Sequence, residues 1–231
     1  MRQALRDNST PSAILLHVLQ AIVSLFCNGF GIYLIIRADI GVSPWDVLSI
    51  GLSKTLGILY GNANVAVSFS ILAMDVLMRE PIGIAIFIDA IVVGKSVDFF
   101  QYLDLVPAPK SVAVSILLLV LGMVEIGYTQ YFYMRASLGC GPRDTLLVGL
   151  SKRMKKIPIG VVSVLVLAVV TLSGYLLGGP VGIGTLLCAF GLGPVMQFAF
   201  MTMHFDATAI RHQNLRQSLE VFLSRKGEKT H

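Results

Sequence analysis

The sequence predicts an all-α fold, a polytopic bundle of membrane-crossing helices, and three observations predict it. Of 231 residues, 55% are hydrophobic and only 13% are charged, against about 25% charged in ordinary soluble domains; the mean hydropathy is +0.78. Six apolar stretches approach the ~20 residues that cross a bilayer. A segment of mixed polarity occurs twice, 98 positions apart. One core of ordinary size cannot hide this much apolar surface, so lipid must be the solvent for much of the chain.

The elements follow in order. Ser12–Ile36 is too long for a signal-peptide core and no small-residue cleavage site follows it, so it reads as a retained span. Ala38–Ile58 opens with a Gly/Pro turn and continues as a helix over 44–58. That helix is short for a crossing and carries Asp and Lys, so it reads as a re-entrant or interfacial half-helix. Asn62–Met78 and Ile82–Leu103 are the next two spans. Ser111–Met134 starts the series again, with a half-helix over 142–156 and spans at Ile157–Leu177 and Val181–Met203. The organisation is therefore a cytoplasmic N-terminus (1–11), a first repeat (12–104), a second repeat (110–204) and a tail (205–231). In the tail Ile210, Leu215, Leu219 and Phe222 alternate with Arg211, Arg216, Arg225 and Lys226, the pattern of a basic amphipathic helix on a membrane surface.

The duplication carries the architecture. Arg37-Ala-Asp-Ile-Gly-Val-Ser-Pro-Trp-Asp-Val-Leu-Ser-Ile-Gly-Leu-Ser-Lys54 aligns with Arg135-Ala-Ser-Leu-Gly-Cys-Gly-Pro-Arg-Asp-Thr-Leu-Leu-Val-Gly-Leu-Ser-Lys152, and 10 of 18 positions are identical. Hydrophobicity alone would not reproduce Arg, Pro, Asp and Lys at fixed spacing. Pro81-Ile-Gly-Ile84 matches Pro180-Val-Gly-Ile183 at an offset of 99, and Ala90 and Gly94 match Ala189 and Gly193. Three spans per half is an odd number, so the second repeat is expected to be inverted. With the N-terminus inside, 14 Lys and Arg fall on the inner side and 3 (Arg37, Lys54 and Lys110) on the outer, with Lys95 in a span. That bias places both termini in the cytoplasm and explains the net charge of +5 without a nucleic-acid partner, since the basic residues cluster at span ends. If both half-helices crossed fully, eight parallel spans would give 13 against 4; half-helix length favours six.

Inverted repeats joined to broken helices are the signature of many secondary transporters, whose site lies where the repeats meet. In the first motif Ser43 is placed to cap the half-helix, Pro44 sits in its first turn, and Asp46 is spaced to reach back to a free amide. Gly141, Pro142 and Asp144 take those places in the second. The carboxylates either satisfy the helix ends or face a solute. Arg37 and Arg135 precede the turns, as snorkelling anchors or as partners of the motif Asp.

Charges within spans are expensive and are functional candidates by default. Asp75 and Asp89 lie deep; Asp98 and Glu125 are placed near span ends, and His17 is a weaker case. Lys95 and Asp98, three apart, share a helical face and can neutralise each other. Asp75, Asp89, Lys95 and Asp98 align with Gly174, Cys188, Pro194 and Gln197, so the first half keeps ionisable groups that the second has replaced. Cys27, Cys140 and Cys188 have no metal-ligand spacing and read as small packing residues.

The paired motif G-x-x-P-x-D-x-L-x-x-G-L-S-K, with the Pro-x-Gly-Ile after it in each half, resembles the YczE/YyaS/YitT group of bacterial membrane proteins, most closely the YczE-like branch. The resemblance runs from about Leu15 to His204. It implies a bacterial inner-membrane protein of about six spans, and it transfers no binding or catalytic residue and no substrate.

The function these features predict is movement of a small solute or ion across the inner membrane, proton-coupled through Asp75 or Asp89. The alternative is a non-transporting accessory protein that binds a lipid or protein partner. The chain carries no His-Glu-x-x-His, Gly-x-Ser-x-Gly, Gly-x-Gly-Asp or nucleotide-binding loop, so neither an enzyme nor a cofactor is expected. Gly122, Gly127, Gly178, Gly182 and Gly184 permit close helix contact within one chain or between subunits of a homo-oligomer.

Overall fold

The computed structural model describes residues 11–80, 83–137, 141–154 and 156–205. The expected tail helix from 206 onward, most of the N-terminal segment and Cys140 lie outside the described residues. Among the described residues there are eight helices and no strand: α1 (Pro11–Arg37), α2 (Pro44–Leu56), α3 (Tyr60–Leu77), α4 (Ile84–Leu103), α5 (Val112–Arg135), α6 (Pro142–Arg153), α7 (Ile159–Leu176) and α8 (Ile183–Thr202). The two half-helices are α2 and α6. Four helices, α1, α5, α7 and α8, are long and apolar enough to cross a membrane. There are five if α2 and α3, bent by 116° at their junction, count as one broken span. α4 has comparable length, but it carries Asp89, Lys95 and Asp98.

The helix ends explain the breaks. α2 stops at Gly57, whose φ of +65° is the left-handed conformation glycine adopts without penalty. Other backbone turns recur in matched positions of the two halves. Asp39 and Ser137 (φ +54° and +56°) end the first helix of each half, and Arg79 and Gly178 (φ +56° and +84°) end the third.

α1 and α5 pack along most of their length and run antiparallel. Gln20 donates to the carbonyl of Phe132, Asn28 to the hydroxyl of Thr129, and Gly31 lies against Gly122 and Ile126. Each also packs on the last helix of its own half, α1 on α4 and α5 on α8. The halves interlock, because α2 packs on α7 of the second half and α6 on α3 of the first. In lipid, apolar contact drives little association, so helices are held by close packing and hydrogen bonds. At the α1–α5 crossing a Cβ on Gly31 would come 2.9 Å from the Gly122 carbonyl oxygen, and one on Gly122 would come 2.6 Å from that of Gly31. Glycine is the residue that lets these backbones touch.

The ends of the half-helices make equivalent contacts. Lys54 donates to the carbonyl of Gly178 and Thr55 to that of Leu177. In the other half Lys152 bonds Glu80 and Arg153 donates to the carbonyl of Met78. One difference is large: α3 and α4 pack closely, whereas α7 and α8 flank an apolar groove of about 440 Å³ lined by Leu167, Thr171, Leu186 and Phe190. Of α7 only Val162 and Gly174 are buried, as suits a helix with a lipid-facing side.

Candidate functional site

A polar cavity of about 230 Å³ lies between the halves, where both half-helices begin. α2 and α6 each start with Pro at the first position, where its missing N–H costs nothing. Pro44 and Pro142 are buried, and the residues before them, Ser43 and Gly141, line the cavity. Asp46, Asp89 and Asp144 line it as well, with Arg143 as the one cation among the described lining residues. Asn28, Asn64, Ser68, Gln130, Trp45 and Tyr133 complete the polar and aromatic wall.

The two motif carboxylates have different surroundings. Asp46 is 1% exposed; its oxygens accept from the Ser43 hydroxyl at 2.7 Å and the Tyr60 hydroxyl at 2.8 Å. The expected capping box is not formed: Ser43 makes no side-chain cap bond, and its hydroxyl donates to Asp46. Asp144 is exposed and accepts no hydrogen bond from the described residues. It lies near Arg143, whose guanidinium donates to Asn64 Oδ1 at 2.8 Å and lies 5.4 Å from the ring centre of Trp45. Trp45 and Arg143 occupy the same motif position in the two copies, so the repeats meet side chain to side chain.

Asp89, from α4, approaches the start of α6. A Cβ on Gly141 would come 3.2 Å from Asp89 Oδ2, a tight approach at the position where the first copy has serine. At the equivalent place α8 presents Cys188, which has no carboxylate. Asp89 stands beside a helix N-terminus, where the partial positive charge favours an acid.

The other candidates lie elsewhere. Asp75 is 0% exposed and neither carboxylate oxygen has a hydrogen-bond partner. It sits on the Ser68 face of α3 but two turns, about 10.5 Å, further along, and does not line the cavity. Lys95 is exposed and donates to Asn62 Oδ1 at 2.6 Å. It makes no ion pair with Asp98, whose Oδ1 instead accepts from the Gly61 N–H in the first turn of α3 at 2.7 Å. Arg37 pairs with Asp104 at 2.6 Å and donates to the carbonyl of Val106, while Arg135 meets the Tyr131 hydroxyl; neither reaches its motif Asp. Glu125 falls mid-helix, against Gly31, rather than near a span end. Of the cysteines, Cys188 is buried but Cys27 is exposed.

Reasoning from the sequence missed Tyr60, Asn64, Ser68 and Arg143. Arg143 had a local signal, as a new charge at a motif position that holds Trp in the other copy. Tyr60, Asn64 and Ser68 recur at four-residue spacing, one face of a helix.

Three curated proteins are similar to this chain. An uncharacterized protein of Haemophilus influenzae is 31% identical over 171 residues, covering 74% of this chain and 77% of its own. An uncharacterized membrane protein of Bacillus subtilis, YczE, is 30% identical over 177 residues, covering 76% and 81%. The uncharacterized protein YyaS of the same organism is 28% identical over 182 residues, covering 78% and 89%. No solved structure matches. The matched span begins in the exposed first part of α1 and ends in α8, so it contains both half-helices and every described residue of the cavity: with residues 15–201 matched, the chain belongs to the family of unknown function DUF6198.

Proposed function

We propose that this membrane protein is a secondary transporter that moves a small solute across the bacterial inner membrane. The observation that carries the reading is the cavity between the halves, walled by the first turns of both half-helices and by three carboxyl groups. Transporters with inverted repeats place their site at the repeat interface, against the ends of broken helices. In this reading the chain crosses six times: α3 and α4 join the four apolar helices, the charges of α4 are turned to the cavity or to helix ends, and α2 and α6 dip in without crossing. The antiparallel course of α1 and α5 supports an inverted second half. The bias of basic residues supports cytoplasmic termini.

On that orientation Asp144 lies toward the cytoplasm and Asp46 toward the exterior. Asp144 is exposed and Asp46 is sealed under Tyr60, which corresponds to a cavity open inward. Exchange of the two arrangements between the repeats would expose Asp46 and bury Asp144. Asp75 and Asp89 are the carboxyl groups proposed to carry a coupling proton, since a bare charge without a partner costs most where Asp75 lies. Lipid surrounds the outer faces, and the reading requires no cofactor and no enzymatic step.

The test is side-specific labelling. In a background lacking Cys27, Cys140 and Cys188, cysteines placed at Lys54 and Lys152, exposed at the ends of the two half-helices, should react with impermeant reagents from opposite sides of the membrane. Reaction of both from one side removes the inverted, six-span reading. Asp75→Asn or Asp89→Asn should abolish pH-gradient-driven uptake in proteoliposomes, and normal uptake by both removes proton coupling.

A further inference from the structure

We propose that the cavity between the halves binds a small organic cation, an amine or a guanidinium compound. The inference rests on reading this cavity as the solute site and names the class of solute.

The balance of charge is the first support. Three carboxyl groups, Asp46, Asp89 and Asp144, face one guanidinium, and among the described residues the lining contains no Lys or His. Asp46 is occupied by two hydroxyls. Asp89 and Asp144 accept no hydrogen bond from the described residues, and both lie close enough to Arg143 to feel its charge. One cation cannot compensate two carboxylates, so an acceptor remains for a second. The helix N-termini do not reverse this balance, since Asp46 and Asp144 stand in the first turns of α2 and α6 and Asp89 beside the start of α6. An anionic solute would meet these carboxylates first.

The second support is independent of the acids. Ser68 is 2% exposed and lines the cavity with a hydroxyl that has no partner among the described residues. Buried polar groups are ordinarily satisfied, and a hydroxyl can accept from an ammonium or guanidinium N–H. The cavity also holds an organic cation of its own, because Arg143 lies over Trp45 and bonds Asn64. Ring faces and amide oxygens of this kind suit a soft, multi-donor cation. Among the described residues no three acidic, His or Cys side chains converge closely enough to hold a metal ion; carboxyl groups spread around the cavity fit a larger cation that touches them separately. A cavity of about 230 Å³ suits a small solute.

Trp45 is the only tryptophan in the chain, so its emission reports on the site. The full chain in lipid nanodiscs is titrated with propylammonium, guanidinium, propanol and propionate at constant ionic strength, with sodium chloride as the blank. Propylammonium and guanidinium should shift Trp45 emission saturably and raise the melting temperature, while propanol and propionate should do neither. Asp144→Asn, at an exposed position, should weaken the cation response at least tenfold. Asp89→Asn should do the same where its ligand-free melting temperature is kept. Preference for propionate or propanol, or no saturable response to either cation, overturns the proposal. Flux of radiolabelled guanidinium into proteoliposomes separates the two readings: saturable binding without flux upholds the cation site and removes transport.

Discussion

The two copies of the motif share a backbone but not an environment. In Ser43-Pro-Trp-Asp46 the carboxylate is buried and held by two hydroxyls; in Gly141-Pro-Arg-Asp144 it is exposed and unbound among the described residues. The difference shows that the shared residues build the turn and the half-helix, and that the positions which changed decide the chemistry. Trp45 faces Arg143, Ser43 answers Gly141, and Asp89 answers Cys188. A duplicated scaffold has one buried, bonded carboxylate and one exposed carboxylate.

Substitutions can break that contrast. The largest effect is expected at Asp46. Asp46→Ala strands the Ser43 and Tyr60 hydroxyls in a buried place, which should cost about 2–4 kcal/mol, while Asp144→Ala should cost no more than about 0.5 kcal/mol. Thermal melting in detergent measures both, and equal losses would mean that the two copies are structurally equivalent.

The next effect lies at the serine/glycine position. Gly141→Ser gives the second copy the first copy's residue and presses a Cβ toward Asp89 Oδ2. A loss of about 1–2 kcal/mol is expected from overpacking. Asp89→Cys, which imports the other half's residue, should recover much of it in a double-mutant cycle. Simple additivity would show that Asp89 is not the reason for glycine at 141.

Tyr60→Phe should cost about 1 kcal/mol, the ordinary worth of a buried hydrogen bond to a charged group being about 1.5–3 kcal/mol and Ser43 remaining to bind Asp46. It should also make Trp45 more accessible to an aqueous quencher if Tyr60 seals that side.

The smallest effect concerns the half-helix ends. Lys152 meets the carboxylate of Glu80, whereas Lys54 meets only the carbonyl of Gly178. The Lys152 hydrogen bond, with help from Arg153, holds the Glu80 carboxyl below its usual pKa. A depressed carboxyl stabilises the fold above its unfolded pKa, and that contribution is lost as pH falls through its folded value. Glu80→Gln should therefore lower stability by about 0.5–1 kcal/mol at neutral pH and narrow the gap to wild type in acid. A gap that stays constant with pH would assign the effect to packing.

The helices and the duplication were legible because both are written in local order. Apolar runs of span length gave α1, α3, α4, α5, α7 and α8 within a few residues, and Gly41-x-x-Pro44 with its copy gave the start of each half-helix. Side-chain partners were less legible. Spacing suggested that Lys95 would neutralise Asp98, but Asn62 and the Gly61 amide of α3 reach them first. Spacing likewise suggested that Asp46 would bond the amides of its own helix, yet Tyr60, 14 residues on, competes for it. Such choices depend on which helix arrives alongside, and no local pattern encodes that. Asp89 was picked out by its charge in a span; its place beside Gly141 needed the packing of α4 near α6.

The α1–α5 contact has a consequence for ancestry. Asn28 meets Thr129 and Gly31 meets Ile126, and an offset of 98 converts each pair into the other. A contact that maps onto itself when the partners are exchanged is isologous, the kind that two identical subunits make across a two-fold axis. The long contact between the halves thus has the form of a homodimer interface fused into one polypeptide. Half a chain carries both sides of that interface, so a single repeat, made on its own, has the surface to associate with a second copy of itself in the opposite orientation.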